Sequence, residues 1–189
     1  MLWKNIKKFS FLIFSLIIFN VSFSQFTGIV SPLFNEKYGV TLLSHIKNAK
    51  KSIFIVMFQT GYYPEFPEGI SNQILKELVN AKKKGVNVEI ILDLSKYEDV
   101  KKKNLEVAKF LTENGINVYF DREDKTTHTK LLIIDDKYIF IGSHNLNYHA
   151  LEKNNEVSVL IESEELTKVF LDYFNQIKKE CKIFRPSGK

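Results

Sequence analysis

The sequence is poor in the residues from which cross-linked or low-complexity proteins are built. It contains one cysteine, Cys181, in 189 residues, which excludes an intramolecular disulfide and a cysteine-rich metal site. Its eight glycines and four prolines are too few for a flexible linker or a collagen-like repeat. The 44% hydrophobic and 26% charged residues indicate a globular domain with a hydrophobic core of its own.

Acidic residues are absent from residues 1–24, which carry three lysines. Without this segment the formal net charge falls from +5 to +2, so global charge does not by itself indicate a nucleic-acid-binding protein. The lysines precede an uncharged apolar run, residues 9–23, that is shorter than the roughly 20 residues of a membrane span. With small residues before Gln25, the pattern predicts a signal peptide over residues 1–24. We therefore expect an exported protein that is periplasmic, secreted or membrane-associated; an uncleaved anchor is the alternative.

From Gln25 onward the chain alternates apolar, β-branched runs with stretches of helical spacing. The predicted elements are helix 38–50, strand 52–58, helix 70–84, strand 86–94, helix 105–113, strand 116–120, strands 128–134 and 138–142, strand 157–161 and helix 164–179. The two strands that flank Asp135–Lys137 form a predicted hairpin. Alternating units followed by a hairpin predict an α/β fold, with a mixed β-sheet flanked by helices, as one domain over residues 25–189.

Five kinds of polar side chain occur around the predicted hairpin. His128 and Lys130 are two residues apart at the start of a strand, so an imidazole and an ammonium group face the same side. Ser143 and Asn145 follow the partner strand and bring a hydroxyl and an amide to the same end of the sheet. Glu156 adds a carboxylate before the last strand. Together these groups predict a site for an anionic tetrahedral group, with a nucleophile and an acid that orients it.

The types and spacing of these residues resemble the signature of the phospholipase D superfamily: His128-x-Lys130, four residues, Asp135, six residues, Gly142-Ser143-x-Asn145, and then Glu156. The resemblance extends over about residues 35–182, where the order of strands and helices also fits. A small chain with one copy of the motif is most similar to the bacterial endonuclease branch, because the larger phospholipases carry two copies. The resemblance implies the phospholipase D-like sandwich.

The resemblance also implies a role for each residue. His128 would attack phosphorus and form a phosphohistidine, since an unperturbed imidazole, with a pKa near 6.5, is largely neutral at pH 7. Glu156 would hold the other ring nitrogen, while Lys130, Ser143 and Asn145 would bind the phosphoryl oxygens. Asp135 is included among the catalytic residues, although its position after the strand also suits a role in the turn.

No metal or other cofactor is expected. A lysine beside the histidine would repel a cation, and neither His-x-His nor His-Glu-x-x-His occurs in the sequence. The predicted function is a metal-independent phosphodiesterase, an endonuclease that cleaves DNA or RNA. A phospholipase D that acts on phospholipid head groups and a non-catalytic nucleic-acid-binding protein are the alternatives.

The expected mechanism needs two imidazoles. A neutral one attacks phosphorus, and a protonated one gives a proton to the leaving oxygen. The second His-x-Lys, at His45 and Lys47, lies in a predicted helix, where residues two apart do not share a face. It therefore cannot serve. A chain with one copy of the motif is expected to form a homodimer with a composite active site on the two-fold axis.

Four features remain open on the sequence alone. His144, at the free position of the motif, is predicted to lie on the surface or to support the site. Residues 148–149 lie in a predicted loop that could contact substrate. Asp93 ends a strand, where structural capping is the expected role. The aromatic loop Tyr62–Phe66 could pack, stack on bases or contact lipid.

Overall fold

Eight strands form one mixed sheet in the computed structural model, which describes residues 25–94 and 96–186. The predicted signal segment, residues 1–24, lies outside the described residues. In chain order the elements are β1 (Ile29–Phe34), α1 (Glu36–Asn48), β2 (Ser52–Met57), α2 (Ile70–Lys83), β3 (Asn87–Leu92), α3 (Glu98–Glu113), β4 (Asn117–Phe120), β5 (Lys130–Ile134), β6 (Tyr138–Gly142), α4 (Tyr148–Glu152), β7 (Val157–Glu162), α5 (Glu164–Lys178) and β8 (Lys182–Ile183).

The strands follow the order β1-β7-β6-β5-β2-β3-β4-β8 across the sheet. Strands β2, β3 and β4 run parallel and are connected through α2 and α3, whereas the other neighbouring pairs are antiparallel. The hairpin β5–β6 therefore joins the sheet beside β2, the first of the parallel strands. The predicted mixed sheet flanked by helices is confirmed.

Each face of the sheet has its own core, because successive residues of a strand point to opposite faces. On one face, α1, α2 and α3 cover the larger core, which includes Ile55, Leu78 and Leu111. On the other face, α5 packs through Phe174, whose ring centroid lies 5.1 Å from that of Phe54. Within the described part of the chain, no helix is long and apolar enough to cross a membrane.

The structure differs from the sequence-based prediction at several elements. Strand β1 was not predicted because it is a largely exposed edge strand that contains Pro32, and so it lacks a buried apolar run. The short elements α4 and β8 were also missed. Helix α3 begins at Glu98 instead of residue 105, since its first turns are a polar, mostly exposed stretch. Strand β5 begins at Lys130, so His128 precedes the strand and the predicted start at residue 128 is wrong.

The turn of the hairpin is fixed by one carboxylate. Asp135 accepts hydrogen bonds from three successive backbone N–H groups, those of residues 50–52, at 2.8, 2.6 and 3.1 Å. Asp135 and Asp136 both have positive φ, of 55° and 56°, a conformation that aspartate tolerates better than most residues. The turn is thereby tied to the loop between α1 and β2, and the register of β5 against β2 is held at this end.

Replacing Asp135 by alanine is expected to lower the free energy of unfolding by about 2–3 kcal/mol more than replacing Asp136 by alanine, as measured by urea denaturation. The two positions have nearly the same φ, so both variants lose the same tolerance of the left-handed region. The difference isolates the hydrogen bonds that Asp135 accepts. Equal losses of stability in Asp135→Ala and Asp136→Ala would show that the carboxylate does not stabilise the turn.

Candidate active site

One edge of the sheet collects most of the residues that the sequence singled out. The register places Met57 opposite Lys130 and Gly142 opposite Ser158, so β2 and β6 end where β5 and β7 begin. His128 and Lys130 stand before and at the start of β5. The residues that follow β6 and precede β7 complete this edge; they are Ser143, Asn145 and Glu156. The structure therefore brings together five of the six predicted site residues.

Asp135 is the sixth predicted residue, and the structure places it apart from the others. It follows the last residue of β5, whereas Lys130 is the first, so about 17 Å of strand separates them. Its carboxylate is occupied by the backbone of residues 50–52. The geometry gives Asp135 a role in the turn and offers it no contact with a group bound at Lys130.

His128 and Lys130 lie against the same aromatic ring. The imidazole centroid of His128 is 4.5 Å from the ring centroid of Phe58, and Nζ of Lys130 is 4.8 Å from the same centroid. Nζ also donates a hydrogen bond of 2.9 Å to the carbonyl of His128. The imidazole is exposed, whereas Lys130 is only 7% exposed. A buried ammonium group therefore lies beside an accessible imidazole.

The surroundings favour the neutral imidazole. Partial burial and the charge of Lys130 lower the pKa of His128 below its ordinary value, although Asp93 acts in the opposite direction. Burial also lowers the pKa of Lys130, against the attraction of Glu156 and Asp93. At pH 7 His128 thus has a lone pair available, which is what a nucleophile requires.

Glu156 is held by its neighbours in the same chain. Its carboxylate accepts hydrogen bonds from the hydroxyl of Ser143 and, at 3.0 Å, from Nδ2 of Asn154. Ser143 also accepts from the backbone N–H of Val157 at 3.1 Å. Among the described residues of this chain, no hydrogen bond joins Glu156 to the ring of His128, so the expected contact is absent within one chain.

Gly142 allows this arrangement because β6 and β7 approach closely at that point. A Cβ atom at residue 142 would overlap the side chain and Cα of Ser158. The glycine thereby lets Ser143 reach the start of β7, where its backbone N–H donates to the carbonyl of Val157 at 3.0 Å.

Asn145 has an amide that the described residues leave free. Its Oδ1 is buried without a hydrogen-bond partner, and its Nδ2 donates to no group in the described part of the chain. An amide donor and a buried ammonium group at the same edge of a sheet are groups that can bind the oxygens of a tetrahedral anion. The binding of an anion by Asn145 and Lys130 stays a prediction.

A buried network under the site was missed by the sequence analysis. Asn104 of α3 donates to the carbonyls of Phe58 and Asp93 at 2.8 and 2.9 Å, and its Oδ1 accepts from Thr60. Asp93, placed as predicted at a strand end, accepts from the backbone N–H of Thr127 at 2.7 Å. The network positions the segment just before His128. No sequence signal could have identified Asn104, because it follows three lysines that are typical of an exposed stretch.

His144 is a core residue and does not lie on the surface. Its ring stacks on Tyr38, with centroids 4.1 Å apart, and both ring nitrogens are occupied, by Ser158 Oγ at 2.7 Å and by the carbonyl of Asn35 at 3.1 Å. Asn35 in turn accepts from the backbone N–H of Glu156 at 2.9 Å through Oδ1. His144 therefore contacts Asn35, which in turn holds the backbone of Glu156. Of the two predicted possibilities, the surface position is wrong and the supporting position fits the structure.

The geometry suits nucleophilic attack on a phosphodiester. An exposed neutral imidazole, a buried ammonium group and a free amide donor lie at one edge, next to a carboxylate. Donors of this kind stabilise the charge that develops on phosphoryl oxygens. The buried ammonium group of Lys130 would repel a metal ion at this edge.

Sequence comparisons find relatives that match most of the chain. The family model described as "Cardiolipin synthase, PLD-like domain" matches residues 42–178. The chain is 30% identical over 145 residues to a phospholipase D of Rickettsia typhi, and 28% identical over 158 residues to cardiolipin synthase 1 of Staphylococcus epidermidis. These matches cover 75% and 83% of this chain. The chain spans only 64% and 30% of the lengths of those two relatives.

Solved structures show the same fold. The structure of Nuc, a phospholipase D family member from Salmonella typhimurium, is similar with a TM-score of 0.71 and 26% identity; the match covers 85% of this chain and all of Nuc. NucT from Helicobacter pylori is similar with a TM-score of 0.67 and 20% identity, covering 84% of this chain and all of NucT. The second likeness shows the fold alone.

Lowering the pH from 7.5 to 5.5 is expected to reduce the free energy of unfolding. Burial lowers the pKa of His144 in the folded chain, although the Asn35 carbonyl and Glu156 oppose this shift. Between that value and the ordinary value of about 6.5, the unfolded chain binds the extra proton. The contribution of His144 to the free energy of unfolding is therefore fully present above about pH 6.5, and it is lost as the pH falls toward the lowered pKa.

Urea unfolding of wild type and His144→Gln at the two pH values checks this expectation. Glutamine keeps a donor and an acceptor but does not titrate, so the loss of stability at pH 5.5 should be smaller in the variant. The lowered pKa of His128 acts in the same direction and is common to both proteins. An equal loss in both proteins would mean that His144 is not the group responsible.

Proposed function

Because the chain belongs to the phospholipase D superfamily, through a PLD-like domain at residues 42–178, we propose that it is a metal-independent phosphodiesterase that cleaves nucleic acid through a phosphohistidine at His128. The observation that carries the proposal is the pair formed by His128 and Lys130 on the ring of Phe58. The pair combines a neutral nucleophile with a buried cation.

The first chemical step follows from these groups. A ring nitrogen of His128 attacks phosphorus with its lone pair, and the bond between phosphorus and the leaving oxygen breaks. That oxygen takes the electron pair of the broken bond and a proton from an acid. Lys130 and Asn145 bind the other phosphoryl oxygens while their charge develops. In the second step water attacks the phosphohistidine and gives a proton to the group that acted as the acid in the first step; the P–N bond breaks, and its electron pair returns to His128.

The acid in the first step is expected to be a second imidazole, and neither His45 nor His144 of the same chain is placed to supply it. Both ring nitrogens of His144 are occupied in the core. His45 bonds the carbonyl of Thr41 and packs edge-on against Tyr138, next to the turn at the opposite end of β5. A homodimer would place the partner subunit's His128 opposite this one, and two like residues in contact titrate as a coupled pair.

The sheet face beside the site supports a dimer. Helix α5 packs on β2, β5 and β6, and it leaves the outer part of the face, on β7 and β1, uncovered. Val30, Phe34 and Val157 lie on this part, and each is more than half exposed. On the same face, a groove of about 540 Å³ lies between Ile141 and Val169 and reaches His128. We propose that α5 of a second copy of the chain covers this surface. In a symmetric pair, each α5 would cover the uncovered surface of the other chain.

Nucleic acid is favoured over lipid by the extent of the match to Nuc. The chain aligns along all of Nuc, whereas it spans less than a third of the cardiolipin synthase that it matches. The phospholipase D of Rickettsia typhi, at 30% identity, is the observation that favours the lipid alternative. Export of the chain remains a prediction from residues 1–24.

The first test is to incubate the protein in EDTA with single-stranded DNA, duplex DNA, RNA and vesicles of phosphatidylcholine. We expect cleavage of nucleic acid to persist in EDTA, because Lys130 supplies the positive charge that a metal supplies elsewhere. His128→Ala and Lys130→Ala should each lower the rate at least about a thousandfold, whereas His45→Ala should leave it unchanged.

Each other outcome of this test has a definite meaning. Loss of all cleavage in EDTA would contradict the metal-independent mechanism. Cleavage of the vesicles alone would replace the proposal by a phospholipase D, and absence of any turnover would favour a binding protein. Inactivation by His45→Ala at unchanged stability would show that the wrong histidine has been assigned.

The second test concerns the dimer. Val169→Asp places a charge in the groove between α5 and the sheet, and it is expected to yield a monomer with at least about a hundredfold lower activity, measured by sedimentation and turnover. Val40→Asp is the matched control, since Val40 is also exposed but lies on α1, which packs on the other face of the sheet.

The number of phosphohistidines gives an independent readout. A composite site predicts one trapped phosphohistidine per two chains, because only one His128 attacks while its mate holds the proton. A fully active monomer, or two phosphohistidines in one dimer at the same time, would refute the composite site.

A further inference from the structure

Three aromatic rings cluster where the loop between β2 and α2 meets the start of α4; Phe66 is exposed, and Tyr63 and Tyr148 are half-buried. The rings of Phe66 and Tyr148 are nearly parallel, at 12°, with centroids 6.2 Å apart, and the ring of Tyr63 lies 6.2 Å from that of Tyr148. We call these three residues the aromatic platform. Phe66 is 58% exposed, although its backbone N–H donates to the carbonyl of Tyr63 at 3.0 Å. A cluster of aromatic rings at the surface is a candidate contact site.

The platform is held rigid from below. The buried side chain of Asn72 accepts a hydrogen bond from the backbone N–H of Tyr63 and donates to the carbonyls of Tyr63 and Phe66 at 2.6 and 3.0 Å. Asn147 caps α4 by accepting from the N–H of Ala150 at 2.9 Å, which fixes the helix turn that carries Tyr148. Tyr62, in contrast, stacks on Phe110 and serves packing. These hydrogen bonds therefore hold the rings of the platform in place before any ligand binds.

The platform is continuous with the phosphodiester site. The loop that follows Phe58 pairs with the segment after Asn145, since the N–H of Gly61 donates to the carbonyl of Leu146 at 2.9 Å and Leu146 donates to Gln59 at 3.0 Å. Tyr148 follows Asn145 by three residues, which limits their Cα separation to about 11 Å. The platform thus begins within one short segment of the anion-binding amide.

A cation accompanies the rings. Nζ of Lys153 lies 5.3 Å from the ring centroid of Tyr148, and Lys153 precedes Glu156 by three residues. A flat aromatic surface next to a lysine is the combination that binds single-stranded nucleic acid, because each base has a π-face and each phosphate a negative charge. The face of a base is uncharged, so the uncharged ring of Phe66 can stack on it.

We propose that the aromatic platform stacks on an unpaired base next to the scissile phosphate, and that the protein therefore prefers single-stranded nucleic acid. The proposal rests on the proposed function of the site. In a duplex each base is stacked between its neighbours, so its face becomes available only where the strand is single. A membrane contact is disfavoured, because Glu65 and Glu68 flank Phe66 where a loop that binds anionic lipid would carry lysine or arginine.

The test compares two single strands of equal length, one of normal nucleotides and one of stable abasic residues with the same phosphodiesters. Phe66→Ala and Tyr148→Ala are each expected to raise KM for the normal strand about tenfold, with kcat within twofold and with no effect on the abasic strand. Phe66→Trp should restore the normal KM. Phe26→Ala, an exposed aromatic before β1 at the opposite end of the sheet, is the matched control and should change nothing.

Binding gives a readout that does not depend on cleavage. In a His128→Ala background, fluorescence anisotropy should show tighter binding of the normal strand than of the abasic strand, and Phe66→Ala should abolish the difference. Equal binding of both strands, or equal effects of the variants on both, would overturn the stacking proposal even if cleavage is confirmed. Lack of cleavage with preserved base-dependent binding would refute the proposed function alone. If Phe66→Ala reduced binding to phosphatidylcholine vesicles but not to the strands, the platform would be assigned to lipid.

Discussion

The antiparallel register between β2 and β5 is the constraint on which the site depends. It places Lys130 opposite Met57, at the end of the parallel strands, and it is fixed at both ends of the pair. At one end Phe58 donates to the carbonyl of Thr129 at 3.0 Å; at the other Asp135 holds the backbone of residues 50–52. Because side chains alternate along a strand, a slip by one residue would turn Lys130 to the opposite face. The motif thus spans the whole of β5, from Lys130 at its first residue to Asp135 after its last, because contacts at both ends fix the register.

The site balances burial against charge. Burying Lys130 strengthens its action on a bound anion but disfavours its own charge, and the acids Glu156 and Asp93 oppose that effect. Burial and the same cation both lower the pKa of His128. Glu156 must therefore stay near without neutralising the cation by direct pairing. Its bonds to Ser143, and the backbone contacts that Asn35 makes with it, hold it in that position.

Much of the fold could be predicted because the buried strands are continuous apolar runs, as in residues 52–57 and 87–92. The polar site residues could be predicted because the motif fixes their spacing along one hairpin. The contacts that assemble them could not, since they join residues far apart in sequence: Asn35 with Glu156, and Asn104 with Phe58. A buried polar residue such as His144 has no signature in sequence, because its burial depends on which segments pack around it.

The two faces of the sheet divide the approaches to His128. The α5 face carries the uncovered apolar surface, while the platform lies with α2 and α4, on the face of the larger core. A partner chain and a nucleic-acid strand that competed for one face would exclude each other. Under the proposed mechanism, separate faces would let a partner supply the second imidazole from one side while a base stacks on the other. The edge of the sheet, where the register of β5 places Lys130 and where Asn145 follows β6, would be the line along which both meet the phosphate.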